Sequence, residues 1–436
     1  MNNLMLVLLY GLSIALTIYY FYIKFKRREY IFSFYTITIL SFAFTLFIIG
    51  PLQYKLEAWS ALGIVKMERV LQLYPALNKI YIINLLGFSI YLIALIYFEF
   101  KDNNKVFSII NKSYFEINYQ VLIVFFYLCI ILWYSITLTI NKTLPILNQN
   151  RLFIEEYGLL KPIYLGLNSI IVLCGTVFII NCITNPNKKD IFNICISLIT
   201  ILATGNRGPL IGMITTITMY CIYLYIKNKK LVLVIILGSL LGCLLLGFGI
   251  EFLRGSSVDG NLINSIAYGN TFSDIRDGAF VLDKYEAKYD GYLWGKNYIA
   301  DFISFIPSGI SQFRQKWSYG HFTTSTLFGW DNHYGLRGGW FLEPYINFSI
   351  LGVIIIAIIY AYYTAGIENF FYKNVVDKQN VNKVVNGLLA ISIIGTAFTS
   401  LTISSGFNTI YSNFAFVFAN VLISRIINKR NRSKNV

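Results

Sequence analysis

Apolar runs of membrane-spanning length recur along this chain, near 4–23, 30–51, 79–98, 119–140, 162–183, 190–204, 209–226, 231–250, 341–363, 384–404 and 408–424. About 20 apolar residues are needed to cross a bilayer as a helix. Eleven runs predict an all-α polytopic membrane protein of about 11 transmembrane helices, with its two ends on opposite sides. Three segments follow: residues 1–250 hold spans one to eight, 251–338 form one large loop, and 339–436 hold the last three spans and a basic tail. The run at 190–204 is short, so the polar residues after it are expected at membrane depth, against protein or a water-filled cavity.

Charge fixes the orientation. The connections at 24–29, 99–118, 184–190, 227–230 and 364–383, with the tail from 425, hold 20 basic and 7 acidic residues; the other side holds 16 and 14. Lys and Arg gather on the cytoplasmic side of membrane proteins. The N-terminus is therefore expected outside and the C-terminus inside. The first apolar run is expected as a retained span, because its basic residues (Lys24, Lys26, Arg27, Arg28) follow it. The formal charge of +15 is almost all topology signal, which removes the case for a nucleic-acid partner.

Composition agrees: 56% of residues are hydrophobic and 13% charged, against roughly 25% charged in soluble domains. All six cysteines fall in apolar runs, as small core residues and not a disulfide framework or thiolate metal site. The long outer loop 251–338 is rich in Trp, Tyr, Phe and Ile, so an ordered structure is expected. Within it 271–288 is predicted as an amphipathic helix, with Phe272, Ile275, Ala279, Phe280 and Leu282 on one side and Asp274, Asp277 and Lys284 largely away from it. Residues 297–306 also show helical spacing, too short to span, and suit an interfacial or dipping helix.

Motifs for common cofactors are missing: there is no phosphate-loop lysine, no dinucleotide fingerprint, no His-Glu-x-x-His and no Asp-x-Asp. Neither metal nor cofactor is expected. The candidate chemistry lies elsewhere. Arg207 sits in Thr204-Gly205-Asn206-Arg207-Gly208-Pro209, between two spans near the outer face. Its glycines permit a tight turn and Pro209 suits the first residue of the next helix. A guanidinium beside free helix N–H groups makes a phosphate-type anion site; the bland alternative is an arginine snorkelling to the interface. Arg254 is either an interface anchor or a second phosphate ligand. Arg276, Arg314, Lys316 and Arg337 are each either a solvated loop charge or a phosphate ligand, and together they form an outward basic pool.

Glu343 lies about a turn inside the ninth span, where a carboxylate needs a reason: an ion pair, or a general base or base-orienting group. His333 is the other candidate base, or a hydrogen-bonded loop histidine. The stretch Gly291–Pro307 mixes aromatic and polar residues, as a sugar platform or as packing. Trp294 and Tyr298 within it, with Trp340 and Tyr345 further on, are the candidate sugar-binding rings.

These motifs together resemble the oligosaccharide repeat-unit polymerases, the Wzy family of O-antigen and capsule polymerases. The resemblance rests on the Thr204–Pro209 turn, the single large outer loop, Gly291…Gly295-Lys296-x-Tyr298…Phe305-Ile306-Pro307, and Gly338-Gly339…Glu343-x-Tyr345-x-Asn347-Phe348…Gly352. It covers roughly 190–360. The chain departs from the pattern at Ser308, where many members have a basic residue, and at Ser349, where many have Gly. The resemblance implies a GT-C-like, metal-independent glycosyltransferase, multi-pass in the bacterial plasma membrane, with its active site facing the periplasm or outside. Donor and acceptor would both be oligosaccharides linked to undecaprenyl pyrophosphate, and a chain-length regulator is a candidate further partner. Arg207, then Arg254, would face the leaving pyrophosphate, with Glu343 or His333 as base. An O-antigen ligase, or a flippase or transporter for lipid-linked oligosaccharide, are the competing readings.

Overall fold

Every regular element among the described residues of the computed structural model is helical. Those residues are 2–26, 33–54, 67–100, 118–141, 160–204, 207–253, 274–307, 309–330, 335–371 and 408–434. In chain order the helices are α1 (Asn2–Lys26), α2 (Phe34–Ala43), α3 (Gly50–Gln53), α4 (Met67–Phe100), α5 (Tyr119–Asn141), α6 (Lys161–Thr184), α7 (Lys188–Ala203), α8 (Arg207–Leu224), α9 (Lys229–Leu253), α10 (Asp274–Lys288), α11 (Lys296–Phe302), α12 (Gln312–Trp317), α13 (Tyr319–His321), α14 (Leu342–Phe371) and α15 (Asn408–Lys434). Two π-helical turns, Phe44–Ile49 and Phe322–Thr326, extend α2 and α13.

Seven helices among the described residues are long and apolar enough to cross a membrane: Leu4–Lys26, Tyr35–Gln53, Gln72–Phe98, Tyr119–Ile140, Lys161–Ile183, Leu342–Asn369 and Thr409–Ile427. The chain is thus a multi-pass membrane protein by the length and apolarity of its helices. The expected runs at 190–204, 209–226 and 231–250 are helical as α7, α8 and α9, and the run at 384–404 lies outside the described residues.

The chain divides into two units. The first takes Met1–Asn103, Val258–Ala365 and Phe398–Phe407. Its long axis is α4, whose 34 residues span about 50 Å at 1.5 Å per residue. Here α1 packs on α4, and the buried Ser13 and Ser89 hydroxyls meet at 2.8 Å between them. Small hydroxyl residues allow such close helix approach in lipid. The Ser33 hydroxyl accepts the Thr36 N–H and starts α2. The π turn follows directly, ahead of Gly50-Pro51, where proline removes a helical donor. An aromatic cluster forms the core: Phe42 lies 4.4 Å from Trp340 and 5.3 Å from Phe88 between ring centres, and Trp340 lies 4.9 Å from Tyr360.

The loop helix α10 packs against α4 in this unit. Ile275, Ala279, Val281 and Leu282 are buried there, each large aliphatic contributing about 1.5–3 kcal/mol. Of the predicted 271–288, the helix is described from Asp274 on, and 271–273 lie outside the described residues. One expectation is corrected: Asp277 does not face away from the packed side but is buried beside Arg276. The close approach of the α14 entry, with Gly338 carbonyl 3.3 Å from the Cβ position of Gly278, closes that face.

The second unit takes Asn104–Ser257, Gly366–Ala397 and Asn408–Val436. Helix α6 is its centre, touching α5, α7, α8 and α15, around Phe126, Trp133, Tyr164, Cys174 and Phe178. Helix α7 is inverted relative to a helix in water. It buries Asp190, Asn193, Ser197 and Thr200 and exposes Ile191, Phe192, Ile199 and Leu202. Its polar face is met by α5: Tyr119 donates to Asp190, Tyr127 donates to Asn193 at 2.6 Å, and Tyr134 meets Thr200 at 3.5 Å. Asn181 also donates to Asp190, at 2.7 Å. Polar groups turned inward and apolar ones outward is the pattern of a helix in lipid.

Candidate functional site

The entry to α14 gathers the candidate chemistry. Gly338-Gly339 makes the approach, and a side chain at either would force a shift or strain: a Cβ at Gly338 would lie 2.7 Å from Leu342 Cβ and 2.6 Å from the Tyr319 hydroxyl, while Gly339 has φ +74° with Asn84 Oδ1 3.0 Å from its Cβ position. The chain then turns into α14, and Glu343 sits in its first turn with only 1% of its surface exposed. A carboxylate near a helix N-terminus meets the favourable end of the helix dipole.

Around Glu343 the first unit places Tyr298 of α11 and Tyr319 of α13. Burial, and then the Glu343 carboxylate, hold the Tyr298 hydroxyl well above the usual phenol range. Tyr319 is pushed up in the same way, by burial and then by Glu343, Asp274 and Asp277. Both phenols therefore stay protonated beside an acidic group. Two of the carboxylates carry arginines. Arg276 donates from Nε and Nη2 to Asp277 Oδ1 at 3.0 and 2.9 Å, and Arg337 Nη1 lies 3.9 Å from Asp274 Oδ1. That oxygen is sealed from water and accepts no hydrogen bond among the described residues, although the Asp274 side chain as a whole keeps 23% exposure. Burial raises the Asp274 pKa and Arg337 works against it.

A second feature fixes this entry. Helix α14 is broken at Phe348 (φ −137°, ψ 17°) and Ser349 (φ 62°, ψ −157°). The break frees the carbonyls of Ile346 and Asn347, which must find donors elsewhere. They find them in the loop: Leu293 N–H donates to Ile346 and Trp294 N–H to Asn347, each at 3.0 Å. Tyr285, its pKa pushed up to about 12 chiefly by burial, adds its hydroxyl to Ile346 at 3.2 Å. Side chains repeat the link. Asn347 donates to Asn297 Oδ1 at 3.0 Å and Asn297 donates to the Trp317 carbonyl at 2.7 Å. The loop and the helix entry are thus one hydrogen-bonded piece.

The predicted residues divide as follows. Glu343, Arg276, Arg314, Arg337, Trp294, Tyr298, Trp340 and Tyr345 all fall in the first unit. Arg276 and Arg337 are matched with carboxylates, and Arg314 donates to the Ile306 carbonyl; burial lowers the Arg314 pKa, with Asp301 opposing. Among the rings, Trp340 packs in the aromatic core, Tyr298 stacks on Phe348 at 5.9 Å, and Tyr345 lies under Lys79 at 5.5 Å. Trp294 is the open one, 73% exposed at φ 52°. Arg207 belongs to the second unit and opens α8. That helix begins two residues before Pro209, whose missing donor costs nothing in a first turn. Arg254 and His333 lie outside the described residues.

Sequence reasoning did not find Asp274, Asp277 and Tyr319. The two aspartates were placed on a solvated face by helical spacing alone, and a tyrosine in an aromatic-rich loop carries no signal of its own. Among the described residues no group of three His, Cys, Asp or Glu side chains is placed to hold a metal ion. Compared with protein-family models, curated proteins and solved structures, the chain matches none.

Proposed function

We propose that this protein is a lipid-linked oligosaccharide repeat-unit polymerase, with eleven spans, its N-terminus outside and its loop 251–338 on the outer face. The observation that carries the reading is Glu343: a carboxylate only 1% exposed at a span entry, whose charge helps to hold the Tyr298 and Tyr319 phenols protonated. That is costly to maintain without a task. It stands in the sequence run that resembles the polymerase family, downstream of the Arg207 turn.

In this reading an acceptor sugar hydroxyl, deprotonated by Glu343, attacks the anomeric carbon of the donor glycan. The new glycosidic C–O bond forms as the bond from the anomeric carbon to the pyrophosphate oxygen breaks. Undecaprenyl pyrophosphate leaves with its electron pair. Arg207, and Arg254 after it, face that leaving group, because charge grows there toward the transition state. Arg337, 48% exposed, is open to draw a diphosphate toward the entrance, whereas Arg276 is buried against Asp277 and Arg314 is bonded to the Ile306 carbonyl.

The test is direct. Purified protein in vesicles would be given a synthetic repeat unit on undecaprenyl pyrophosphate, and the products sized. A ladder spaced by one repeat unit, lost in Arg207→Ala and Glu343→Gln, supports the reading. Transfer of a single preformed glycan to a different acceptor, without a ladder, replaces it with the ligase.

A further inference from the structure

Helix α11 is built inside out. Asn297, Ala300, Asp301 and then Ser304 are buried, at spacings of three, one and three residues. Ile299, Phe302 and Phe305, spaced by three, are exposed by 53%, 57% and 58%. Two of the three inward polar side chains are engaged, Asn297 with Trp317 and Asn347, and Asp301 Oδ2 with the Tyr319 N–H at 3.4 Å, while the Ser304 hydroxyl is sealed from water with no hydrogen-bond partner among the described residues. Ile310 and Phe313 continue the exposed apolar surface, and Trp294 precedes it. The helix α10, in the same loop, buries its aliphatic side instead, with Arg276 and Asp277 paired to each other beside it. It buries Ile275, Val281 and Leu282 and leaves Glu286, Ala287 and Lys288 open. A helix that hides its polar side and presents its apolar side is stable against hydrocarbon, not against water.

The same inversion occurs in α7, which is itself the run 190–204 predicted to lie in the bilayer. Moreover, the exposed surface of the loop joins that of a span. Gly295 brings its Cβ position to 3.0 Å from the Phe348 ring, Tyr298 stacks on that ring, and the Ser349 and Tyr292 hydroxyls meet at 2.9 Å. From there Ile350, Leu351, Ile355 and Ile358 carry an exposed apolar face down α14.

We infer that residues 294–307 and 309–313 form a monotopic arm that sits in the lipid leaflet on its own side of the membrane, with Trp294, Ile299, Phe302, Phe305, Ile310 and Phe313 among the acyl chains. Lys296 and Lys316, both exposed, lie 4.8 and 5.1 Å from the Trp317 ring and offer positive charge to anionic headgroups. The inference stands whatever reaction the protein performs, since it rests on the arm's burial pattern and its continuity with α14.

The full-length protein would carry the photocrosslinker p-benzoylphenylalanine at Phe302, Phe305 or Ile310, in vesicles of phosphatidylethanolamine and phosphatidylglycerol. Illumination should give phospholipid adducts by intact mass at all three positions, and none with the crosslinker at Ala287 of α10. Adducts between two copies of the chain, or no lipid adduct at any of the three, would overturn the arm. An unmodified background gives a second reading. The emission lost in Trp294→Phe should be quenched by lipids brominated on the acyl chain and not by aqueous iodide; the reverse overturns the inference.

Discussion

The backbone N–H of Trp294 donates to the Asn347 carbonyl at 3.0 Å, so a loop residue supplies the donor that the break in α14 leaves missing. The break depends on Ser349, whose φ of 62° and ψ of −157° belong to a region essentially reserved for glycine. Such backbone costs an ordinary residue about 1–3 kcal/mol, and the exposed contact of Ser349 with Tyr292 returns less. Ser349→Gly should therefore stabilise the protein by about 1 kcal/mol, and Ser349→Val should destabilise it by about 2 kcal/mol. The heat midpoint for loss of folded protein in detergent would measure both. A less stable glycine variant would mean that the serine hydroxyl outweighs the strain.

Gly352 holds the other side of the break. A Cβ there would stand 2.4 Å from the Pro344 carbonyl oxygen and 2.8 Å from Phe348 Cβ, and neither atom is the end of a flexible chain. Gly352→Ala should cost about 1–3 kcal/mol or more. Gly212→Ala and Gly242→Ala are the controls, with nothing within 4 Å of their Cβ positions. These should gain about 0.5–1 kcal/mol from helix propensity. Equal heat midpoints for all three would remove the close packing at Gly352.

How much of this was legible in the sequence varies with the range of the interaction. Helices were legible, because apolar runs and 3.6-residue spacing are local: the predicted 271–288 and 297–306 became Asp274–Lys288 and Lys296–Phe302. Spacing gives a helix two faces but does not say which meets the protein. The inversion of α11 was therefore not visible, and neither was the burial of Asp277, which rests on its pairing with Arg276. The break at Phe348–Ser349 and its donors at Leu293 and Trp294 lie far apart in the chain, so no window joins them. Ser349 was noticed only as a departure from Gly; the backbone angle supplies the physical meaning. Of the site, Glu343 was legible as a carboxylate in an apolar run, whereas its neighbours Tyr319 and Asp274 were not.

The three hydroxyls of α5 that meet α7 should differ in strength. Hydrogen bonds between membrane helices average about 0.6 kcal/mol, with about 1.7 at the top. Tyr119–Asp190 should be strongest, since a carboxylate acceptor strengthens the bond. Tyr127–Asn193, at 2.6 Å, should follow, and Tyr134–Thr200, at 3.5 Å, should contribute little. Double-mutant cycles in mixed micelles, with phenylalanine for each tyrosine and alanine for each partner, would rank them. A Tyr134 coupling equal to that of Tyr119 would contradict the geometry.

Stability should depend on pH through Asp274. Burial raises its folded pKa above the ordinary carboxyl value near 3.9. The folded state thus holds the proton more tightly than the unfolded state does. That contribution to stability is complete below the unfolded pKa and is lost as pH rises through the raised folded value. Asp274→Asn should be more stable than the parent at neutral pH, and the gain should vanish toward low pH. Heat midpoints measured from pH 4 to pH 8 would show it. A variant weaker than the parent at pH 7 would mean that the Arg337 pair, at 3.9 Å, outweighs desolvation.

Glu343 separates a chemical role from a structural one. Glutamine keeps its size and hydrogen-bonding shape but cannot take a proton. If Glu343 is the base, Glu343→Gln should lower kcat by about 10²–10⁴-fold with KM little changed, and the acidic limb of the pH–rate profile should disappear. Glu343→Asp should restore part of the rate, because it returns a carboxylate to the first turn of α14. A purely structural Glu343 predicts the opposite pattern: Gln would be tolerated, while Asp, shorter by a methylene in a position only 1% exposed, would lower stability and rate together. Polymer ladders and heat midpoints measured on the same preparations decide between the two.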